Sequence, residues 1–262
     1  MKETPKGSES LPPLLDGSRT NKSDFEWIEY FNRTVDDARL FCNLTRDSEL
    51  QEECISRLRE MRRECAEVKK NALDQVNEDF ANILLGFECV VDSLRHELRM
   101  WIALKEGQPD AAWDRLISAQ EAGRAAVRAH QGFSALTEHV ERLDCIEKVV
   151  FPPQVFVSTG FIVGSQECSI CGTEYGDCDH LEGIPYNGEF CLVLPKRTAI
   201  DHVAIVDDPR DRRCRITTVP TDQGSRNRMT WKLESSASGS TGSMAATGRI
   251  LIASSTGSGD DI

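Results

Sequence analysis

Four side chains able to bind a metal ion fall within thirteen residues: Cys168, Cys171, Cys178 and His180, in the run Cys-Ser-Ile-Cys-Gly-Thr-Glu-Tyr-Gly-Asp-Cys-Asp-His. Two residues between the first pair let a tight turn aim both sulfurs at one ion, and Gly172 tolerates the dihedrals of such a turn. Cys178-x-His180 uses a different geometry, because residues two apart in an extended segment point to the same side. Together they could close a tetrahedron. Thiolate-rich sites select zinc over magnesium or calcium, whose ligands are oxygen. Zinc is therefore the expected cofactor, with a zinc-knuckle or ribbon-like fold around it. Cys191 is the alternative fourth ligand, which would leave the imidazole of His180 outside the coordination sphere.

A closed site of this kind is structural, since catalytic zinc keeps one position open for water and has a general base nearby. His180-Leu181-Glu182 matches the His-x-Glu of zinc deaminases, but there the Cys-x-x-Cys follows and here it precedes. A thioredoxin-like role for Cys168-x-x-Cys171 would need a helix start within a βαβ unit. Here the motif opens a Gly- and Asp-rich loop, and Glu174, Asp179 and Glu182 read as solvated acids. No serine or histidine shows the spacing of a catalytic triad.

The elements that must position this cluster divide at Phe151-Pro152-Pro153, where proline ends any helix. Before it, helix signals start at Ser23-Asp24 with Phe25, Trp27, Ile28 and Phe31 and run towards Leu44. From Glu49 to Leu104 apolar residues recur every three to four positions, through Leu50, Cys54, Leu58, Met61, Cys65 and Val68 and on through Phe80, Leu84, Phe87, Val91, Leu94 and Leu98. One helix over 49–104 would span about 84 Å, which suits a coiled-coil-like hairpin or a homo-oligomer. Two packed helices with a break near Asn71 or Gly86 explain the pattern equally. Gly107-Gln108-Pro109-Asp110 is a turn and cap, followed by a helix carrying Trp113, Leu116 and Ile117 and another over about 134–149. Beyond Pro153 the period shortens, and 155–157, 161–163, 190–194, 202–206 and 213–216 read as strands.

The expectation is an α+β protein. An antiparallel helical bundle with long helices covers 24–150, and a small β-rich, zinc-stabilised domain covers 151–216. A loose tail is expected over 1–23, where Gly, Ser, Pro and charge mix, and another over 217–262, where roughly half the residues are Ser, Thr or Gly.

The chain has 262 residues, a formal net charge of -12 and ten cysteines. That charge favours solubility and disfavours indiscriminate binding to nucleic acid or anionic membranes. No run of about 18 apolar residues predicts a membrane span. The opening Met1–Lys6 lacks the apolar core of a signal peptide, so a cytoplasmic location is expected and a disulfide framework is not. Cys42, Cys54, Cys65, Cys89 and Cys145 sit at apolar helix positions and read as small hydrophobes.

The run Phe151-Pro-Pro-Gln-Val-Phe156, with Cys168-x-x-Cys171-Gly-x-x-Tyr175-x-x-Cys178-x-His180-x-x-Gly183-x-x-Tyr186-x-Gly188-x-x-Cys191, resembles a module found in uncharacterised bacterial and phage-associated proteins. The resemblance implies a metal-bound domain and no activity. A shorter stretch, His202–Asp211, is similar to the Glu-Val-Ser-x-Val-x-x-Pro segment of phage prohead proteases. Ala204 stands where that family has its serine, so no acyl transfer is implied there.

The function expected from these observations is non-enzymatic interaction or scaffolding with a protein partner, Tyr175 and Tyr186 serving as aromatic anchors or as cover for the metal. Nucleic-acid binding is the alternative. Between Lys196 and Lys232 nine Lys and Arg face five Asp, and Arg210, Arg212 and Arg213 could track phosphates. A metal-dependent hydrolase, or an inactive phage-protease-like domain, is the third reading.

Overall fold

The structure, a computed structural model, describes residues 22–234 together with Thr247 and Gly248. It is α+β, with helices first and small sheets later. The expected tail before residue 22 and the part of the expected tail at 235–246 and 249–262 lie outside the described residues.

Five helices come first: α1 Lys22–Phe41, α2 Ser48–Asp74, α3 Glu78–Lys105, α4 Pro109–Ala129 and α5 Leu136–Val150. Asp47 caps α2, its carboxylate accepting from the amides of Glu49 and Leu50. The long apolar pattern breaks at Gln75–Asn77, at neither Asn71 nor Gly86. Val76 takes a left-handed φ of 56° there, and the Asn77 side chain caps α3 by accepting from Phe80 N. Gly86 lies inside α3 for a packing reason. A Cβ at that position would stand 2.1 Å from the Phe133 ring.

Three cross-pairs set the direction of α3 against α2: Lys69 with Glu88, Arg62 with Asp92, and Gln51 with Lys105. One sequence rises as the other falls, so the helices are antiparallel. The stripe expected on α2 is covered within the chain, with Cys54, Leu58, Met61 and Cys65 all buried. Aromatic rings fill the centre: Phe31 and Phe87 lie 4.4 Å apart, and Trp27 and Phe133 meet Phe87 edge-on. Cys42 is buried with them, whereas Cys145 is exposed, so the reading of that residue as a core hydrophobe does not hold. The helical stripe leaves it on the outward side of α5.

The strands are β1 Phe156–Cys168, β2 Pro185–Tyr186, β3 Glu189–Phe190, β4 Val193–Val206, β5 Ile216–Thr221, β6 Gly224–Asn227 and β7 Thr247–Gly248. The separate strand pieces expected around Gly160 and before His202 are continuous: β1 and β4 form one long two-stranded ribbon. Gly160 permits it, because the His202 ring occupies the space a Cβ would need. Regular structure also extends past residue 216. The β5–β6 hairpin turns through Asp222-Gln223, and the β-branched residues of Ile-Thr-Thr-Val, which favour a pleated strand, outweigh the polar composition that suggested a tail.

The described chain groups into two compact units interleaved in sequence. One holds the helices to Ile146 with Gln166–Leu194, and the other holds Glu147–Ser165 and the chain from Pro195 onward. The metal-ligating segment thus belongs with the helices.

Val76 is 91% exposed, so no side-chain packing compensates its left-handed backbone, which costs a β-branched residue about 1–2 kcal/mol. Val76→Gly should therefore raise stability by about 1 kcal/mol in urea unfolding. A loss of stability would show that the turn is not strained.

Candidate metal centre

Cys168 closes β1, and the chain then turns sharply. Gly172 N donates to Cys168 O (2.9 Å) and Cys168 N to Thr173 O (2.9 Å), with Gly172 at φ 72°. The far side of the turn is tied by Ser169 N to Leu192 O and by Leu192 N to Ser169 Oγ. A single 3-10 turn, Tyr175–Asp177, leads into Cys178, whose backbone is extended as the Cys-x-His spacing requires.

These turns bring one ligand atom each of Cys168, Cys171, Cys178 and His180 within 4.8 Å of one another. Cys168 is buried, Cys178 and His180 are half-buried, and Cys171 is exposed. His180 Nδ1 is buried and has no hydrogen-bond partner among the described residues, so it is one of the four donors able to take a metal ion. The His180 ring rests edge-on against Tyr186, 4.6 Å between centroids. Burial alone would raise the Cys168 thiol, but the amides of Cys171 and Ile170 aimed at its sulfur bring it down to about 7. The Thr173 side chain and backbone amide hold Cys171 below the usual thiol range.

Cys191 is completely buried, with its sulfur 3.7 Å from that of Cys168. Burial and the neighbouring Cys168 push its thiol up to about 11. It is suited to donate S–H towards the Cys168 sulfur.

Tyr175 and Tyr186 are half-buried. Their hydroxyls accept from Glu182 N (2.9 Å) and Leu181 N (3.1 Å), and so brace the loop after His180. Glu174 is likewise engaged, accepting from Gln166 N. Arg212 makes a two-pronged ion pair with Glu147 and stacks over Phe156, while Arg213 closes on Asp211. Arg210 is exposed. Two of the three expected phosphate-tracking side chains are thus consumed by internal pairs.

The feature that sequence reading missed is the anchor. β2 and β3 form a hairpin whose turn, Asn187-Gly188, has both φ values positive (48° and 72°), the conformation that Asn-Gly favours between paired strands. Its backbone is held by helix side chains: Asn187 N donates to Glu78 Oε1, Gly188 N to Asn82 Oδ1, and Lys69 Nζ to Gly188 O. Lys69 also pairs with buried Glu88 at 2.7 Å. Gly188 has no room for a side chain, since a Cβ would meet Lys69 Cδ at 2.8 Å and Ala81 O at 3.2 Å. The Asn-Gly dipeptide was the available signal. Lys69 and Glu88 gave none, being ordinary helix residues.

One constellation outside the cluster has the residue types of a hydrolase. Ser93 Oγ lies 3.0 Å from His139 Nε2, with Glu97 close by. Ser93 already donates its hydrogen to Ala119 O (2.8 Å), so the imidazole must be the donor. Ser93 is 1% exposed and Glu97 fully buried against Arg142. Burial lowers His139 to about 4, which keeps it neutral. The arrangement satisfies buried polar groups and offers no nucleophile.

No helix of the described residues is long and apolar enough to cross a membrane. Searches of protein-family models, curated proteins and solved structures find no match.

Removing one partner of the Lys69–Glu88 pair strands the other charge. Lys69→Met should cost about 3–5 kcal/mol in urea unfolding, and Lys69→Met with Glu88→Leu should recover most of it. A single substitution within about 1 kcal/mol of the native chain would remove the pair from its anchoring role.

Proposed function

We propose that Cys168, Cys171, Cys178 and His180 hold one zinc ion as a structural staple, and that the protein is a non-enzymatic interaction or scaffolding module. The observation that carries this reading is the convergence of four sulfur and nitrogen donors on one point. Zinc–sulfur bonds of about 2.3 Å give a tetrahedron with edges of about 3.8 Å, a small contraction from the present spacing. Four protein ligands leave no position for water, which separates a staple from a catalytic site. In zinc-finger peptides such binding contributes on the order of 10–16 kcal/mol, ample to order a loop with few buried apolar residues.

The ion would fix the turn from Cys168 to His180, while the Lys69 and Asn82 contacts hold the hairpin after it. Between these two fixed points the chain presents Leu181 and Ile184, 62% and 45% exposed. They are apolar side chains on a braced loop, as a protein-binding surface requires. Nucleic-acid recognition at Arg210–Arg213 is the weaker reading, because Arg212 and Arg213 are internally paired. The resemblance to bacterial and phage-associated modules supports a place in a cytoplasmic assembly.

A photocrosslinking residue at position 181 or 184 should capture protein in the native host, with yield falling several-fold when Cys171→Ser removes a ligand. Adducts to nucleic acid alone, or metal-dependent hydrolysis of ester, amide or phosphoester substrates by the purified protein, would contradict the proposal.

A further inference from the structure

We propose that Arg59, Arg95, Arg99 and Arg115 form a binding site for a small polyphosphate oxyanion on the face built by α2, α3 and α4. Arg95 and Arg99 lie one turn apart on α3 and so share a face. α2 contributes Arg59 and Arg62, and α4 contributes Arg115. All five arginines are half-buried, as is His96 between the α3 pair.

The carboxylates present do not balance them. Asp92 spends both oxygens, accepting from Arg62 Nε and Arg95 Nη1 at 2.8 Å each. Glu52 acts on Arg99 only at longer range. Among the described residues Arg59, Arg99 and Arg115 have no carboxylate within ion-pair distance. Arg95 Nε and His96 Nδ1 are buried with no hydrogen-bond partner among the described residues. This crowding occurs in a chain of net charge -12, where acidic partners for arginine are plentiful elsewhere.

The electrostatics agree with the placement. Burial and then the charges of Arg115, Arg59 and Arg95 lower Arg99, and burial lowers Arg95 against the pull of Asp92. Burial and then Arg115 bring His96 down to about 4, so at neutral pH it can donate a hydrogen bond without adding charge. Like charges held together and partly out of water are unfavourable unless an anion joins them. Guanidinium forks match phosphate oxygens two at a time, and a ligand with two adjacent phosphates would engage several forks at once. The Arg62–Asp92 and Ser93–Ala119 bonds fix the antiparallel registers that bring Arg59 of α2 and Arg115 of α4 level with the Arg95–Arg99 turn of α3, so the charges come from three helices and not from one line. That geometry suits pyrophosphate, free or as the terminal groups of a nucleotide, better than the backbone of a nucleic acid.

The test is calorimetric titration of the full-length protein with inorganic pyrophosphate and, separately, ADP, at constant ionic strength. Pyrophosphate should bind with one-to-one stoichiometry. Arg99→Gln and Arg115→Gln should each weaken it at least about tenfold, while Arg63→Gln, at an exposed position on α2, should leave it unchanged. ADP binding as tightly would identify a nucleotide as the source, and weaker ADP binding the free anion. If a glutamine variant does not fold, Arg99→Lys and Arg115→Lys, which keep the charge but lose the fork, should show the weakening instead. The absence of saturable pyrophosphate binding, equal binding by all variants, or oligonucleotide binding that pyrophosphate does not displace would overturn the proposal.

Discussion

The ion pair between Lys69 and Glu88, with the lysine's second bond to the carbonyl of Gly188, joins the helical part of this chain to its ligand-bearing loop. Both side chains are largely withdrawn from water, at 17% and 6% exposure, where a lone charge is costly and a paired one is tolerable only with its remaining bonds satisfied. Gly188 supplies one of those bonds, and a residue with a side chain could not approach closely enough to do so. The constraint runs both ways. The helices need the loop carbonyl to complete a buried lysine, and the loop needs the helices because few of its own apolar residues are buried.

This coupling explains why the compact units of the chain do not follow its order of helices first and strands later. Proline at 152 and 153 ends the helices as expected. Gln166–Leu194 groups with the helices, held by polar bonds between Glu78, Asn82 and Lys69 and its backbone atoms and by Arg128 over the Phe190 ring. Hydrophobic periodicity has no signature for such bonds. The cluster itself was legible, since Cys-x-x-Cys and Cys-x-His spacings carry their geometry in the sequence and the four donors do converge. The burial of Cys191 beside Cys168 was legible only as an alternative, because a cysteine eleven residues past His180 can approach from either side of the site.

Charge behaved in the same manner. The Arg210–Arg213 stretch stood out because its basic residues are consecutive, but Arg212 and Arg213 serve Glu147 and Asp211. The denser set of under-neutralised arginines is spread over positions 59 to 115 and meets only when α2, α3 and α4 pack. Helical spacing on one element predicts a face. It does not predict which faces of three elements will coincide.

Metal analysis of the purified native chain, Cys171→Ser, His180→Ala and Cys191→Ser tests the central claim most directly. The account predicts one zinc per native chain, none held stoichiometrically by Cys171→Ser, and retention by Cys191→Ser. A native protein without stoichiometric zinc would contradict the staple, and loss of zinc from Cys191→Ser with retention in His180→Ala would contradict the ligand set.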